Sequence, residues 1–151
     1  MKTVNRKIMA AAFTLIAGTS MASMARAHEE ADAAKTQASM AIPTTVDGIW
    51  QAIDQKTAEL QTTIRNGKLE DVHHLAFAVR DLVAALPAKS AELSPEQLAR
   101  VRGSVRFVAT LADRLDASGD AHDQAATQDN FVKLKAILKG LRGNYVPQKG
   151  K

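Results

Sequence analysis

The sequence predicts an all-α fold, an up-down-up-down antiparallel four-helix bundle spanning residues 44–146. Three observations predict it. Apolar residues recur three and four apart in four successive segments, the repeat of a helix with one buried face, and no stretch alternates as a strand does. Start and stop residues bound the segments: "SPEQ" at 94–97, Asn66-Gly67, Gly119 and Pro147. The connections, of about two to eight residues, are the lengths that join antiparallel neighbours in bundles.

The first helix is capped by Thr44 or Thr45 and carries Val46, Ile49, Trp50, Ile53, Leu60 and Ile64 on one face. Asn66-Gly67 ends it. The second carries Leu69, Val72, Leu75, Ala76, Val79, Leu82, Val83 and Leu86, and Pro87 is expected to stop it. In the third, Ser94 is the cap, Pro95 occupies the first helical position and Gln97 closes a capping box. Leu98, Val101, Val105, Val108, Ala112 and Leu115 then form a heptad seam that runs to Gly119. The fourth is expected to start at Asp120 and to continue through Phe131, Leu134, Leu138, Leu141 and Tyr145 to Pro147, leaving 147–151 as a tail.

Residues 1–27 read as a secretory signal peptide. Lys2, Arg6 and Lys7 form a basic start, Ile8 to Gly18 is an apolar run too short to span a bilayer, and Ala25-Arg26-Ala27 is a small-x-small cleavage site. Residues 28–43 are Ala-rich and polar, a flexible N-terminal segment. With no cysteine anywhere, the chain cannot carry a disulfide, a thiolate metal site, covalently attached haem or a lipid anchor on cysteine. Export to the periplasm, with no transmembrane segment after cleavage, is the expectation.

The leader holds four of the 20 Lys and Arg and none of the 16 Asp and Glu, so 16 of each sign remain beyond it. A chain close to neutral, with one Trp and one Tyr, lacks both the basic footprint and the stacking aromatics of a nucleic-acid binder. Locally, Lys133, Lys135, Lys139, Arg142, Lys149 and Lys151 make the C-terminal end basic, which reads as a solvated helix face.

"DVHHLAFAVRDLV", Asp71 to Val83, places two of the chain's four histidines side by side. The up-down topology puts the start of the second helix and the start of the fourth at one end. His73, His74 and His122 therefore gather there with Glu70, Asp71, Asp116, Asp120 and Asp123. Imidazole and carboxylate together suit Zn(II), Ni(II), Co(II) or Cu(II), and Met40 is the only methionine beyond the leader, which argues against a soft Cu(I) site. The candidate ligands are His73, His74 and His122, with Asp71, Asp120 and Asp123 as carboxylate donors or as partners that orient the imidazoles. A plainer alternative stands beside this. His74 shares the outer face with Glu70 and Asp81, and Asp120 and Asp123 are what a helix N-terminus favours without any metal. His28 is a separate candidate, first in the mature chain after cleavage at Ala27 or third after cleavage at Ala25. The latter gives a square-planar nitrogen donor set for Cu(II) or Ni(II).

Enzymatic constellations are lacking: there is no nucleophile elbow, phosphate-cradling glycine loop or H-E-x-x-H. Phe77 on the outer face of the second helix, and a ridge of Arg102 and Arg106 on the third, are the candidate surfaces for another envelope protein.

The tail "LKGLRGNYVPQK", Leu138 to Lys149, on a signal-bearing four-helix chain resembles the soluble periplasmic b-type cytochromes, whose last helix ends in a comparable Arg-x-x-Tyr. That family holds haem with a methionine early in the first helix and a histidine just after the terminal tyrosine. Here Val146 follows Tyr145 and the first helix has no methionine, so the resemblance implies the fold and the compartment but no haem. "VHHLAFAVRDLVAALPAKS" and "LADRLDASGDAHD" also look like uncharacterised exported helical proteins of metal-efflux settings. The resulting expectation is a periplasmic, non-enzymatic bundle that binds or senses divalent metal ions in metal homeostasis or resistance, with an efflux component as its partner. The alternative is an interaction or adaptor module of the envelope without metal.

Overall fold

The computed structural model describes residues 41–145, so the leader, His28 and the tail lie outside the described residues. The described residues form four helices and no strand: α1 (Val46–Arg65), α2 (Val72–Lys89), α3 (Pro95–Asp120) and α4 (Gln124–Arg142). Single 3-10 turns at Leu69–Asp71 and Gly143–Tyr145 precede α2 and follow α4. None of these helices is long and apolar enough to cross a membrane.

Three of the helices, α1, α3 and α4, begin where a side chain satisfies a free amide, whereas α2 follows its 3-10 turn without a side-chain cap. Thr45 Oγ1 accepts from Gly48 N at 3.1 Å. Ser94 Oγ accepts from Gln97 N at 3.2 Å while Gln97 Oε1 accepts from Ser94 N at 2.9 Å, the expected capping box. Asp123 Oδ1 accepts from Ala126 N at 2.9 Å.

Two helices end in the same way. At α1, Gly67 N donates to Ile64 O and Lys68 N to Thr63 O, both at 3.1 Å, with Gly67 left-handed at φ 70°. At α3, His122 N donates to Gly119 O and Asp123 N to Ser118 O, both at 2.9 Å, with His122 left-handed at φ 52°. Both are Schellman motifs, and His122 fills a position that usually belongs to glycine. Gly119 therefore does not end α3. It lies inside the last turn because a Cβ there would stand 2.7 Å from the Leu69 carbonyl oxygen, so its lack of a side chain lets α3 reach the turn that precedes α2.

The direction of the chain alternates. Ile64 near the end of α1 receives a hydrogen bond from Gln124 at the start of α4, whereas Asp54 in the first half of α1 pairs with Arg142 at the end of α4. Gln97 in the first turn of α3 reaches Asn144 beyond α4, and Asn130 of α4 reaches Arg114 late in α3. The interior is a single apolar cluster in which Ile49, Leu60, Val79, Leu82, Leu86, Leu115, Phe131 and Leu134 are fully buried. Each such side chain contributes roughly 1.5–3 kcal/mol relative to an exposed one. Packing is extensive between α1 and α2, α2 and α3, and α3 and α4, and sparse where α4 returns to α1.

The boundaries correct three expectations. Pro87 lies within α2, which runs on to Lys89, because a proline this close to the C-terminus removes one bond without a long run of helix to disrupt. α3 continues to Asp120 and α4 starts only at Gln124, so His122 sits in the connecting turn. Val105, expected on the seam, is partly buried at the margin of the cluster, whereas Leu111 belongs to the interior.

Two substitutions separate the roles of Gly119 and His122. His122→Gly should relieve the left-handed backbone and stabilise the bundle by about 0.5–1 kcal/mol, raising Tm by a few degrees. Gly119→Ala should lower Tm, because the added carbon meets a backbone oxygen rather than the end of a flexible side chain, so the backbone must shift. Thermal melts followed by circular dichroism check both signs, and the reverse order would mean that Gly119 is the terminator after all.

Candidate functional site

At the histidine end, His73 and His74 are the second and third residues of α2, their rings 3.6 Å apart at 42°. His73 Nδ1 lies 3.1 Å from Glu70 O, which makes Nδ1 the protonated nitrogen. The exposed His74 borders an open depression between α1 and α2, together with Glu59 and Asp71. His122, Asp120 and Asp123 are exposed on the α3–α4 turn at the same end, and Asp123 is already committed to capping α4. Among the described residues, no three His, Asp or Glu side chains stand close enough together to hold one ion. The histidines share an end of the bundle without forming a closed ligand set.

Phe77 is not the exposed aromatic that helical periodicity suggested. It is partly buried against the core, edge-on to His73 at 6.5 Å and covered by the Arg80 guanidinium at 4.4 Å. Among the described residues, the exposed phenylalanine is Phe107 on α3, 63% accessible, on the same helix as the exposed Arg102 and Arg106.

A more built arrangement occupies the opposite end, where the first half of α1 meets the end of α4. Trp50, only 8% exposed, packs edge-to-face against Tyr145 at 5.6 Å. The Arg142 guanidinium lies 4.4 Å from the centroid of the indole, a cation–π contact, and its Nη2 is 2.8 Å from both carboxylate oxygens of Asp54. The terminal turn is fastened so that it can support this stack. Ser90 Oγ donates to Leu86 O at 2.6 Å, which leaves it to accept from the Tyr145 hydroxyl at 2.8 Å. Asn144 is held by Gln97 and Arg100, each at 2.9 Å. Burial pushes the Tyr145 phenol above its ordinary pKa, so it stays a neutral donor.

Beside this stack, the loose seam between α1 and α4 opens into a groove of about 420 Å³. Its apolar walls are Trp50, Ile53 and Leu138, and Lys135, Lys139 and Arg142 line it from the α4 side with Asp54 opposite. Across the Arg142–Asp54 pair lies a second recess of about 390 Å³, which again touches Trp50 and also Asp47 and Tyr145. Among the described residues, two buried side-chain polar atoms lack any hydrogen-bond partner, Trp50 Nε1 and Thr57 Oγ1, and both residues line the groove. A buried donor left unpaired costs about 1–3 kcal/mol.

Sequence reasoning passed over this site, although signals were present. Along α1 the spacing Trp50, Ile53, Leu60, Ile64 calls for an apolar residue at 57, and a threonine stands there. Lys135, Lys139 and Arg142 follow one another at helical spacing, and only the fold shows that this row borders an apolar cleft rather than open solvent. The chain matches no protein-family model, and neither curated proteins nor solved structures give a match.

Proposed function

We propose that this protein is a non-catalytic binding module of the periplasm whose site is the seam between α1 and α4. The observation that carries the reading is the pair of unpartnered buried polar atoms, Trp50 Nε1 and Thr57 Oγ1, on two residues that line a groove with apolar walls and a charged rim. Native interiors pair nearly all such groups, and an exception in a concave site is a position where a water or a ligand atom can complete the hydrogen bonding. The charged residues around the groove form an ion pair and a lysine row, with no nucleophile beside a base, which favours binding without chemistry. Export rests on the leader-like residues 1–27. Of the two expectations drawn from the sequence, this reading keeps a binding module without metal, and it replaces the envelope-protein surfaces at Phe77 and at the Arg102 and Arg106 ridge with a cleft at the Trp50 end.

Expressed with its own first 27 residues, the protein should appear in the periplasmic fraction with His28 or Arg26 as its first residue. Solvent extraction of natively purified protein, followed by mass spectrometry, should release a bound molecule in stoichiometric amount. Thr57→Phe, which fills the seam, should release none while keeping its helical spectrum. Retention in the cytoplasm would overturn the export part, and identical extracts from parent and filled variant would overturn the seam.

Divalent-metal binding is the second reading, favoured by the approach of the His73 and His74 rings to 3.6 Å beside Asp71. A metal that binds only the folded state raises Tm with the logarithm of its concentration, and it needs neutral imidazoles. Zn(II), Ni(II), Co(II) or Cu(II) should therefore raise the Tm of His28→Ala protein at about pH 7.5 and not at about pH 5.5, on either side of the ordinary imidazole range. His73→Ala/His74→Ala should abolish the rise. Unchanged melts with every ion would leave the two histidines as surface residues.

A further inference from the structure

The two recesses at the Trp50 end have three residues in common, Trp50, Asp54 and Arg142, and the Arg142–Asp54 pair runs between them. That pair is exposed, at 44% and 61% of the two side chains, so its net contribution is small and its partners exchange readily. The cleft it spans has an apolar floor with one buried, unpaired indole N–H, and a rim on which Lys135, Lys139 and Arg142 face the single carboxylate of Asp54. In the first groove three cations thus outnumber one anion, and the one anion is already engaged.

An occupant of this cleft needs an apolar body, a negative head and an oxygen that accepts a hydrogen bond. A volume of about 420 Å³ falls in the range of small-molecule sites. The apolar residues of the cleft are recessed, whereas the large exposed apolar side chains among the described residues, Ile42, Phe107 and Val132, are not among its lining. A chain that slides in fits such a surface better than a partner helix laid across it, which would seek protruding anchors.

We propose that the α1/α4 cleft binds a free single-chain aliphatic carboxylate, whose head takes Arg142 from Asp54 and whose chain lies on Ile53 and Leu138. Guanidinium and carboxylate match as a planar fork, and the charge on both partners shortens and strengthens the hydrogen bonds between them. Lys139 adds a second cation on the same rim. The carboxylate supplies the acceptor that the Trp50 N–H lacks once the seam admits it. Each added methylene should strengthen binding roughly fourfold until the floor is covered.

The inference rests on the seam as the binding site, and the test separates the two. Trp50 is the only tryptophan of the chain, so its emission reports this cleft alone. Mature protein is titrated with decanoate, decanol and decyltrimethylammonium below their micellar concentrations, followed by Trp50 fluorescence and independently by calorimetry. Decanoate should saturate, decanol should bind at least tenfold more weakly, and the cation should not bind. Arg142→Gln should weaken decanoate about tenfold and leave decanol unchanged. Asp54→Asn should tighten decanoate by releasing Arg142 from its competitor, an effect that loss of a purely structural strap would not produce. Equal affinity for the three head groups would overturn the carboxylate while keeping the seam. No saturable binding by either method, or binding to anionic phospholipid vesicles without binding of free decanoate, would overturn the proposal outright.

Discussion

The buried face of α4 is narrow, and the rest of the structure follows from that. Thr127, Phe131, Leu134, Leu138 and Leu141 repeat at intervals of four and three, the two-in-seven stripe of a coiled-coil seam rather than the broader face of a helix that must cover two neighbours. Such a stripe closes against α3 and the central cluster and leaves its flank toward α1 to Lys135, Lys139 and Arg142. α1 answers with Thr57 where its own repeat would place an apolar residue. Neither helix offers the other a continuous hydrophobic edge. At the Trp50 end the two are joined by stacking and charge instead, through the Arg142 guanidinium over the Trp50 ring and against Asp54.

The two ends of the bundle are consequently built by different means. At the histidine end the backbone does most of the work. Two Schellman turns, the Gly119 approach to the Leu69 carbonyl and the Asp123 cap bring the helix ends close, and the buried Thr127 hydroxyl ties Ser118 to the Asp123 carbonyl. His122 is spent on chain reversal there. Asp123 is spent on an amide. At the other end side chains do the work: Tyr145 on Ser90, Asn144 on Gln97 and Arg100, Arg142 on Trp50. Side-chain contacts of this kind can be broken at less cost than the backbone turns of the histidine end, and that is where the bundle can open locally.

The helices were legible because each carries a regular apolar repeat, and the clearest boundary signals, Ser94-Pro95-Glu96-Gln97 and Asn66-Gly67, stand where α3 begins and α1 ends. The misplaced boundaries share a cause: residue type alone makes Gly119 and Pro87 stops, whereas the fold uses Gly119 for close approach and Pro87 falls too near a helix end to break it. The candidate ligands were legible as a cluster at one end, since topology alone places them there, but whether side chains converge on a point is a matter of angle around each helix axis that spacing does not resolve. The Trp50 cleft was the least legible feature. It depends on which two helices pack loosely, a property of the pair that neither helix carries by itself.

Held in this way, the bundle should open at the α1/α4 seam at lower free energy than anywhere else. Native-state amide hydrogen exchange, measured residue by residue at low denaturant concentrations, tests it most directly. Amides of the C-terminal half of α4 and of the facing part of α1, around Trp50 to Thr57, should exchange through a partial opening with a shallow denaturant dependence, while the buried stretches of α2 and α3 exchange only by global unfolding. Protection at Ile53, Thr57 and Leu138 equal to that at Leu82 and Val108, with the same denaturant dependence, would contradict the account.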